Sequence, residues 1–374
     1  MDKAMVRTLA AGKLDVIGDI HGELQALEAL IHELGYDADG THPDDRHLIF
    51  VGDLCDRGPD SIGVIARVKA WVDADRAQCV LGNHELNLLL GRHREGNGWF
   101  FGLDTHREDR ESGRFANCRS ATVDDRAGIL SFLRSLPLVL ERDDLRVVHA
   151  CPEADALRAA RASVAVDVVA FHEAAEQALQ KQAAASPDHA RIEAERMRYD
   201  KVKTDPQARV SSLPHFAASE ATLQNGHPVR VMTSGREVPG NSPFYSTGKW
   251  RLLDRDRWWN RYDDEVAVIF GHYWRTPTGM TPPEHKGTPN LFAEHADDAW
   301  LGLRGNAFCV DHCVGVRFVE RMKGRTEKFE GRLSAMRWPE RELVMDDGRR
   351  ASRLQVSAFP KRTGNHEAER RDAP

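Results

Sequence analysis

The sequence contains only six cysteines among its 374 residues. They are too sparse for a disulfide framework. Cys55, Cys79, Cys151 and Cys309 sit in or beside apolar runs, where a thiol behaves as a small hydrophobe. Cys309 and Cys313 have no second cysteine pair nearby, so a cysteine-rich zinc site is not expected. No apolar run approaches the roughly 20 residues that cross a bilayer. The first residues, MDKAMVRTLAAGKLD, lack the continuous apolar stretch of a secretory signal. A cytoplasmic location and no membrane partner are therefore expected. A basic surplus is also missing. Lys+Arg total 52 against Asp+Glu 58, a net charge of −6, so nucleic acid is not the expected partner. There is no internal repeat, and the oligomeric state is left open. What is present is ordinary for a globular chain: 41% hydrophobic and 29% charged residues.

The informative feature is how the apolar runs end. Leu14–Ile17 leads into Gly18-Asp19-Ile20-His21-Gly22. His47–Val51 leads into Gly52-Asp53, with Asp56 and Arg57 close behind. Cys79–Leu81 leads into Gly82-Asn83-His84-Glu85. Leu145–Val148 leads into His149, Val266–Phe270 into Gly271-His272, and Phe308–Val310 into Asp311. Each run is short and apolar, so it reads as a buried strand. In open α/β sheets ligands bind beyond the carboxyl ends of the strands. Two of the following stretches, residues 23–34 and 61–72, space their apolar residues as amphipathic helices, with Ser61 as the expected N-cap. Strand alternating with helix predicts an α/β domain.

A single Gly-Asp after a strand is an ordinary turn. Six strand ends with the same chemistry are not. Turn chemistry alone supplies Gly, Ser and Asn, and burying several carboxylates and imidazoles together is costly unless a cation compensates them. A dinuclear metal site is therefore expected. The donors are oxygen and imidazole nitrogen without thiolate, which suits manganese, iron, zinc or magnesium. Two divalent ions are expected, manganese first among them.

The motifs Gly18-Asp19-Ile20-His21-Gly22, Gly52-Asp53-Leu54-Cys55-Asp56-Arg57-Gly58, Gly82-Asn83-His84-Glu85, His149 and Gly271-His272 resemble those of the calcineurin-like metallophosphoesterases. They are most similar to its phosphoprotein-phosphatase branch, which includes serine/threonine protein phosphatases and bacterial diadenosine tetraphosphatases. Leu34-Gly35-Tyr36, His42-Pro43 and Arg46 resemble the dinucleoside tetraphosphatases of that branch. The resemblance implies a four-layer sandwich, with two central mixed sheets flanked by helices. It also implies roles. Asp19 and His21 would hold one metal, Asp53 would bridge both, and Asn83, His149 and His272 would complete the second. A bridging hydroxide would attack phosphorus. Arg57 would clamp the phosphate oxygens, His84 would protonate the leaving oxygen, and Asp56 would orient His84. Glu85 is not a ligand in the family pattern. The chain departs from that pattern at His149-Ala150-Cys151-Pro152 and at Asp311-His312-Cys313, where Asp311 is a candidate supporting residue. A second phosphate-binding arginine has two candidates, Arg236 and Arg275.

The division expected is a discontinuous core over 1–152 and 263–325 and a largely helical insertion or cap over 153–262. A C-terminal strand pair would occupy 326–357, and a disordered tail 358–374. Within the insertion, 153–200 reads as amphipathic helix broken near Ser186-Pro187, and 202–262 as mixed. Trp99, Phe100 and Phe101 are expected to anchor packing ahead of stacking a nucleobase. Trp258, Trp259, Tyr273 and Trp274 are expected at a recognition rim or in edge packing. The function expected is a metal-dependent phosphoesterase acting on a phosphorylated small molecule, a dinucleoside polyphosphate such as diadenosine tetraphosphate foremost. The alternatives are a serine/threonine phosphatase acting on phosphoprotein and a catalytically silent phosphate-binding module.

Overall fold

The computed structural model describes residues 4–102, 115, 118–246, 248–280 and 290–351; the tail expected over 358–374 lies outside them. The chain is mixed α/β with two mixed central sheets. The first has the order β1-β5-β6-β9-β10, from Val6–Thr8, Val139–Glu141, Leu145–Val148, Ala267–Phe270 and Ala307–Cys309. The second has the order β13-β12-β11-β2-β3-β4, from Arg350–Ala351, Glu342–Met345, Ser334–Trp338, Leu14–Ile17, His47–Phe50 and Ala77–Cys79. Strands β2, β3 and β4 are parallel, as are β6, β9 and β10. Strands β11 and β12 pair antiparallel, and β11 pairs with β2. The C-terminal strands are thus part of a central sheet.

The alternation of side chains along each strand builds the layers. Leu14, Val16, Ile49 and Val51 from one sheet meet Leu145, Val147, Ile269 and Phe308 from the other in one buried cluster. The opposite faces carry Ile17, Leu48 and Phe50, which pack with the helices α1 (Leu24–Leu34) and α2 (Ser61–Asp73). On the far side Trp258 and Trp259 pack on Phe270, so both are core residues and not rim. Asp60, rather than Ser61, caps α2, accepting from the Gly63 N–H at 2.8 Å. Ser61 is the first helical residue, and its Oγ accepts from the Asp56 N–H at 2.9 Å.

Between β6 and β9 the chain forms helices Ala154–Arg161, Val168–Ala184, His189–Asp200, Pro214–Asn225 and Pro228–Ser234. It then forms an antiparallel hairpin of β7 (Glu237–Ser246) and β8 (Lys249–Arg255). The last two helices each begin at a proline. Proline suits the first turn because its missing N–H would have no partner there, so what reads as loop punctuation starts helices instead.

One polar knot locks the second sheet to its cover. Asp15 is fully buried. Arg46 donates to it from Nε at 2.9 Å and Nη2 at 3.0 Å, and from Nη1 to Glu340 at 2.8 Å. The Tyr36 hydroxyl donates to Asp15 at 2.8 Å. Tyr36 and Arg46, part of the resemblance to dinucleoside tetraphosphatases, are therefore structural bolts. Removing one member of a buried pair costs about 3–5 kcal/mol. Arg337 remains at 3.2 Å from Asp15, which puts Arg46→Met near the lower end, about 3 kcal/mol. A lowered denaturation midpoint with an unchanged slope is the expected result.

Candidate metal centre

All six strands with polar carboxyl ends deliver them to one place. Asp19 follows β2, Asp53 follows β3, and Asn83 and His84 open α3 (Asn83–Leu89) after β4. His149 follows β6, His272 follows β9 and Asp311 follows β10. Close approach is possible because the turns are glycine. A Cβ on Gly271 would stand 2.0 Å from Asp19 Oδ1, and one on Gly82 would stand 2.3 Å from Asp53 Oδ1. Even so, His21, Asp53, Asp56, Arg57 and His272 hold positive φ, between 48° and 71°. A side chain in that region costs about 1–2 kcal/mol, so the surrounding packing imposes these conformations.

Asp53 stands at the middle. Its Oδ2 is 3.4 Å from His149 Nε2 and 3.8 Å from the Nε2 atoms of both His21 and His84. It belongs to two ligand groups, His21–Asp53–His84 and Asp53–His149–His272. Asn83 Oδ1 lies 3.2 Å from His149 Nε2 and 2.8 Å from His272 Nδ1. Asp19 Oδ2 is 3.9 Å from His21 Nε2. The ring orientations are set from behind. His149 Nδ1 lies 2.8 Å from the Val51 carbonyl and His21 Nδ1 lies 3.1 Å from that of Cys55. A proton on Nδ1 to serve each carbonyl leaves Nε2 as the ring nitrogen that faces the centre.

The charges call for cations. Burial, with Asp311 and Asp53 nearby, pushes the Asp19 carboxyl well above its ordinary range. Against its own burial, Asp53 is held well below by His149 and His84. His149, against its burial, is raised to about 10 by Asp53 and Asp19. Burial pushes Asp311 to about 6, and its Oδ2 is buried without a hydrogen-bond partner. Buried carboxylates that must recruit a proton onto an imidazole, beside an orphaned oxygen, fit divalent cations.

A second chain of contacts runs alongside. His84 Nδ1 is 2.6 Å from Asp56 Oδ2, and the Trp99 indole N–H donates to Asp56 Oδ1 at 2.7 Å. Arg57 Nη1 and Nη2 reach His21 Nε2 at 2.6 Å and His84 Nε2 at 3.2 Å. The Arg57 guanidinium lies 5.3 Å from the ring centre of Trp274. Trp99 and Phe100 are buried, so they pack rather than present a face to a base. Glu85 is buried and accepts from the backbone N–H groups of Asp53 and Leu54, each at 2.8 Å. It shapes the loop and does not point into the centre.

Neither expected second arginine faces the site. Arg275 is buried and donates to the carbonyls of Ala296 and Ala299, both at 2.6 Å. Arg236 pairs with Glu153 at 3.2 Å and Asp256 at 3.4 Å. The arginine that does reach it is Arg255, at the end of β8, which donates to the His272 carbonyl at 3.2 Å. No local motif marks Arg255; only the hairpin brings it there.

The calcineurin-like phosphoesterase family matches residues 12–179. The match covers a little less than half of the chain's 374 residues. Asp19, His21, Asp53, Asn83, His84 and His149 lie within the matched residues, and His272 lies beyond them. Among relatives, the asymmetrical bis(5'-nucleosyl)-tetraphosphatase PrpE of Bacillus velezensis is 38% identical over 152 residues, covering 38% of this chain and 57% of that protein. The symmetrical bis(5'-nucleosyl)-tetraphosphatase of a Janthinobacterium species is 36% identical over 129 residues, covering 34% and 41%. The chain thus spans less than two thirds of either relative. A solved Saccharomyces cerevisiae serine/threonine phosphatase aligns at 12% identity over 96% of this chain and 86% of its own, with a TM-score of 0.41. Among the described residues, no helix is long and apolar enough to cross a membrane.

Proposed function

We propose that the chain is a metal-dependent phosphoesterase of the cytoplasm, with a discontinuous core over 1–152 and 263–325 that the C-terminal strands complete and a cap over 153–262. The observation that carries this reading is Asp53, one carboxylate shared by two groups of ligands. Asp19, His21 and Asp53 would hold one divalent ion, and Asp53, Asn83, His149 and His272 the other. Manganese fits this donor set, as do iron, zinc and magnesium. When bound, the pair supplies positive charge against phosphate oxygens and acidifies water. His21 offers Nε2 only if Arg57 turns away from it, and a phosphate oxygen gives the guanidinium a better partner. Arg57 and Arg255 then orient the phosphoryl group. His84, protonated on Nε2, donates to the leaving oxygen, while Asp56, braced by Trp99, holds the other ring nitrogen.

A dinucleoside polyphosphate is the substrate we favour, supported by the names of the relatives. Trp274 is the partly exposed aromatic beside Arg57, and a base stacked there would gain about 1–3 kcal/mol. Trp274→Ala should therefore raise KM for diadenosine tetraphosphate about fivefold or more and leave KM for nitrophenyl phosphate nearly unchanged. Equal changes would remove Trp274 from base recognition. A phosphoprotein substrate is the second reading, supported by the motifs shared with serine/threonine phosphatases. The deciding experiment offers manganese-loaded chain diadenosine tetraphosphate, phosphopeptides, cyclic nucleotides and nitrophenyl phosphate separately. A tenfold preference in kcat/KM, about 1.4 kcal/mol, names the class. No turnover of any of them would leave a silent phosphate-binding module.

Trp99→Phe keeps the packing and deletes the hydrogen bond to Asp56. The expected result is a fall in kcat of roughly tenfold, the lower end for loss of a supporting partner, with KM unchanged. A change in KM alone would contradict that role.

A further inference from the structure

The helical segment between β6 and β9 holds a second imidazole cluster that the centre around Asp53 does not use. His172 and Glu176 lie one helical turn apart on Val168–Ala184 and share a face. His227 is the N-cap of the helix Pro228–Ser234. The two rings lie 4.4 Å apart between centroids. His172 is 2% exposed and His227 0%, and Nε2 of each is buried without a hydrogen-bond partner. Glu176 Oε2 is 3.7 Å from His227 Nε2. One ligand atom from each of the three residues lies within 4.8 Å of the others. Two buried imidazoles beside a carboxylate, each with an orphaned nitrogen, are costly in an interior unless something binds between them.

We propose that His172, Glu176 and His227 form a zinc site separate from the Asp53 centre. Two imidazoles and a carboxylate are a zinc donor set, with bonds of about 2.0–2.2 Å. Four such bonds put neighbouring ligands about 3.4 Å apart in a tetrahedron, so Glu176 and His227, 3.7 Å apart, need only a small contraction. The nitrogen-rich set favours zinc over magnesium or calcium. The Glu176 side chain is 27% exposed and opens the path from solvent. Its carboxylate is held by Arg230 and by Gln180 Nε2 at 3.0 Å. The Arg230 backbone N–H donates to His227 Nδ1 at 3.3 Å. Coordination through Nε2 moves the ring proton to Nδ1, so this long contact is exchanged for the metal bond.

The ion would act as a staple. It would tie Val168–Ala184 to the start of Pro228–Ser234, whose Met232 carbonyl accepts from the Ala150 N–H at 2.8 Å. Ala150 directly follows His149, so the staple would connect the helical segment to the strand end that feeds the central site. The nearby guanidiniums of Arg92 and Arg230 would equally attract an anion, and the test must separate the two.

The test uses the full chain carrying Asp53→Asn, which disables the central site. It is stripped with chelator, equilibrated with zinc, desalted and analysed for metal. Adding His227→Gln should remove one zinc per chain. Glu176→Gln, at a partly exposed position that keeps the side-chain shape, should weaken zinc binding by at least roughly a hundredfold, the upper end for loss of an outer partner, with an unchanged far-ultraviolet circular dichroism spectrum. That variant decides the matter if His227→Gln does not fold. An unchanged zinc count and affinity in both variants would overturn the proposal. So would binding of inorganic phosphate but not of zinc.

Discussion

Asp53→Asn is expected to lower kcat by at least about 10³-fold on every phosphoester, since removing a single preorganised donor already costs about 10²–10³. The size follows from position. Asp53 Oδ2 faces His149, His21 and His84 at once, and no other carboxylate belongs to both ligand groups around it among the described residues. Asparagine keeps the shape and removes the charge. Manganese content should fall together with activity, which separates loss of the centre from loss of a contact to substrate. Asp53 also supports the loop around it, since its Oδ1 accepts from the His84 N–H at 3.0 Å. Asparagine retains an oxygen for that bond, so the loop should keep its shape. Full activity with a normal metal load would remove Asp53 from the centre.

The second large effect depends on the leaving group. His84→Asn should cost about 10²–10⁴ in kcat on alkyl phosphates, the usual contribution of a general acid. Nitrophenolate leaves without a proton, so nitrophenyl phosphate should lose far less. The geometry supports this split: His84 Nδ1 is tied to Asp56 at 2.6 Å while Nε2 points toward Arg57 and Asp53. Asp56→Asn should reproduce the pattern at smaller amplitude, because the ring stays and only its orientation is loosened. Equal losses on both substrates would mean that His84 binds or positions rather than donating the proton.

Much of the centre was legible because its chemistry stands at strand ends. Asp19, Asp53, His149, His272 and Asp311 each follow an apolar run closely, and parallel pairing of β2 with β3 and of β6 with β9 aligns those ends. Hydrophobic spacing likewise marks α1, with the buried Leu27, Leu30 and Leu34. What stayed hidden depends on distant pairing. Arg255 reaches the site only because β7 and β8 form a hairpin whose register breaks between Pro239 and Phe244. The tie from Trp99 to Asp56 spans 43 positions and has no local signal. Asp60 replaces Ser61 as a cap because the Ser61 hydroxyl is taken by the Asp56 N–H. Tyr36 and Arg46 teach a further lesson. Their resemblance to dinucleoside tetraphosphatases is carried by a buried knot on Asp15, away from any surface that could read a substrate.

The most direct test is anomalous diffraction from manganese-soaked crystals of the full chain. Two peaks about 3.5–4 Å apart, with the Asp53 carboxylate between them and His21 and His149 on opposite sides, are the predicted result. A single peak, or peaks that leave Asp53 uncoordinated, would contradict the shared-carboxylate centre and the phosphoesterase reading built on it.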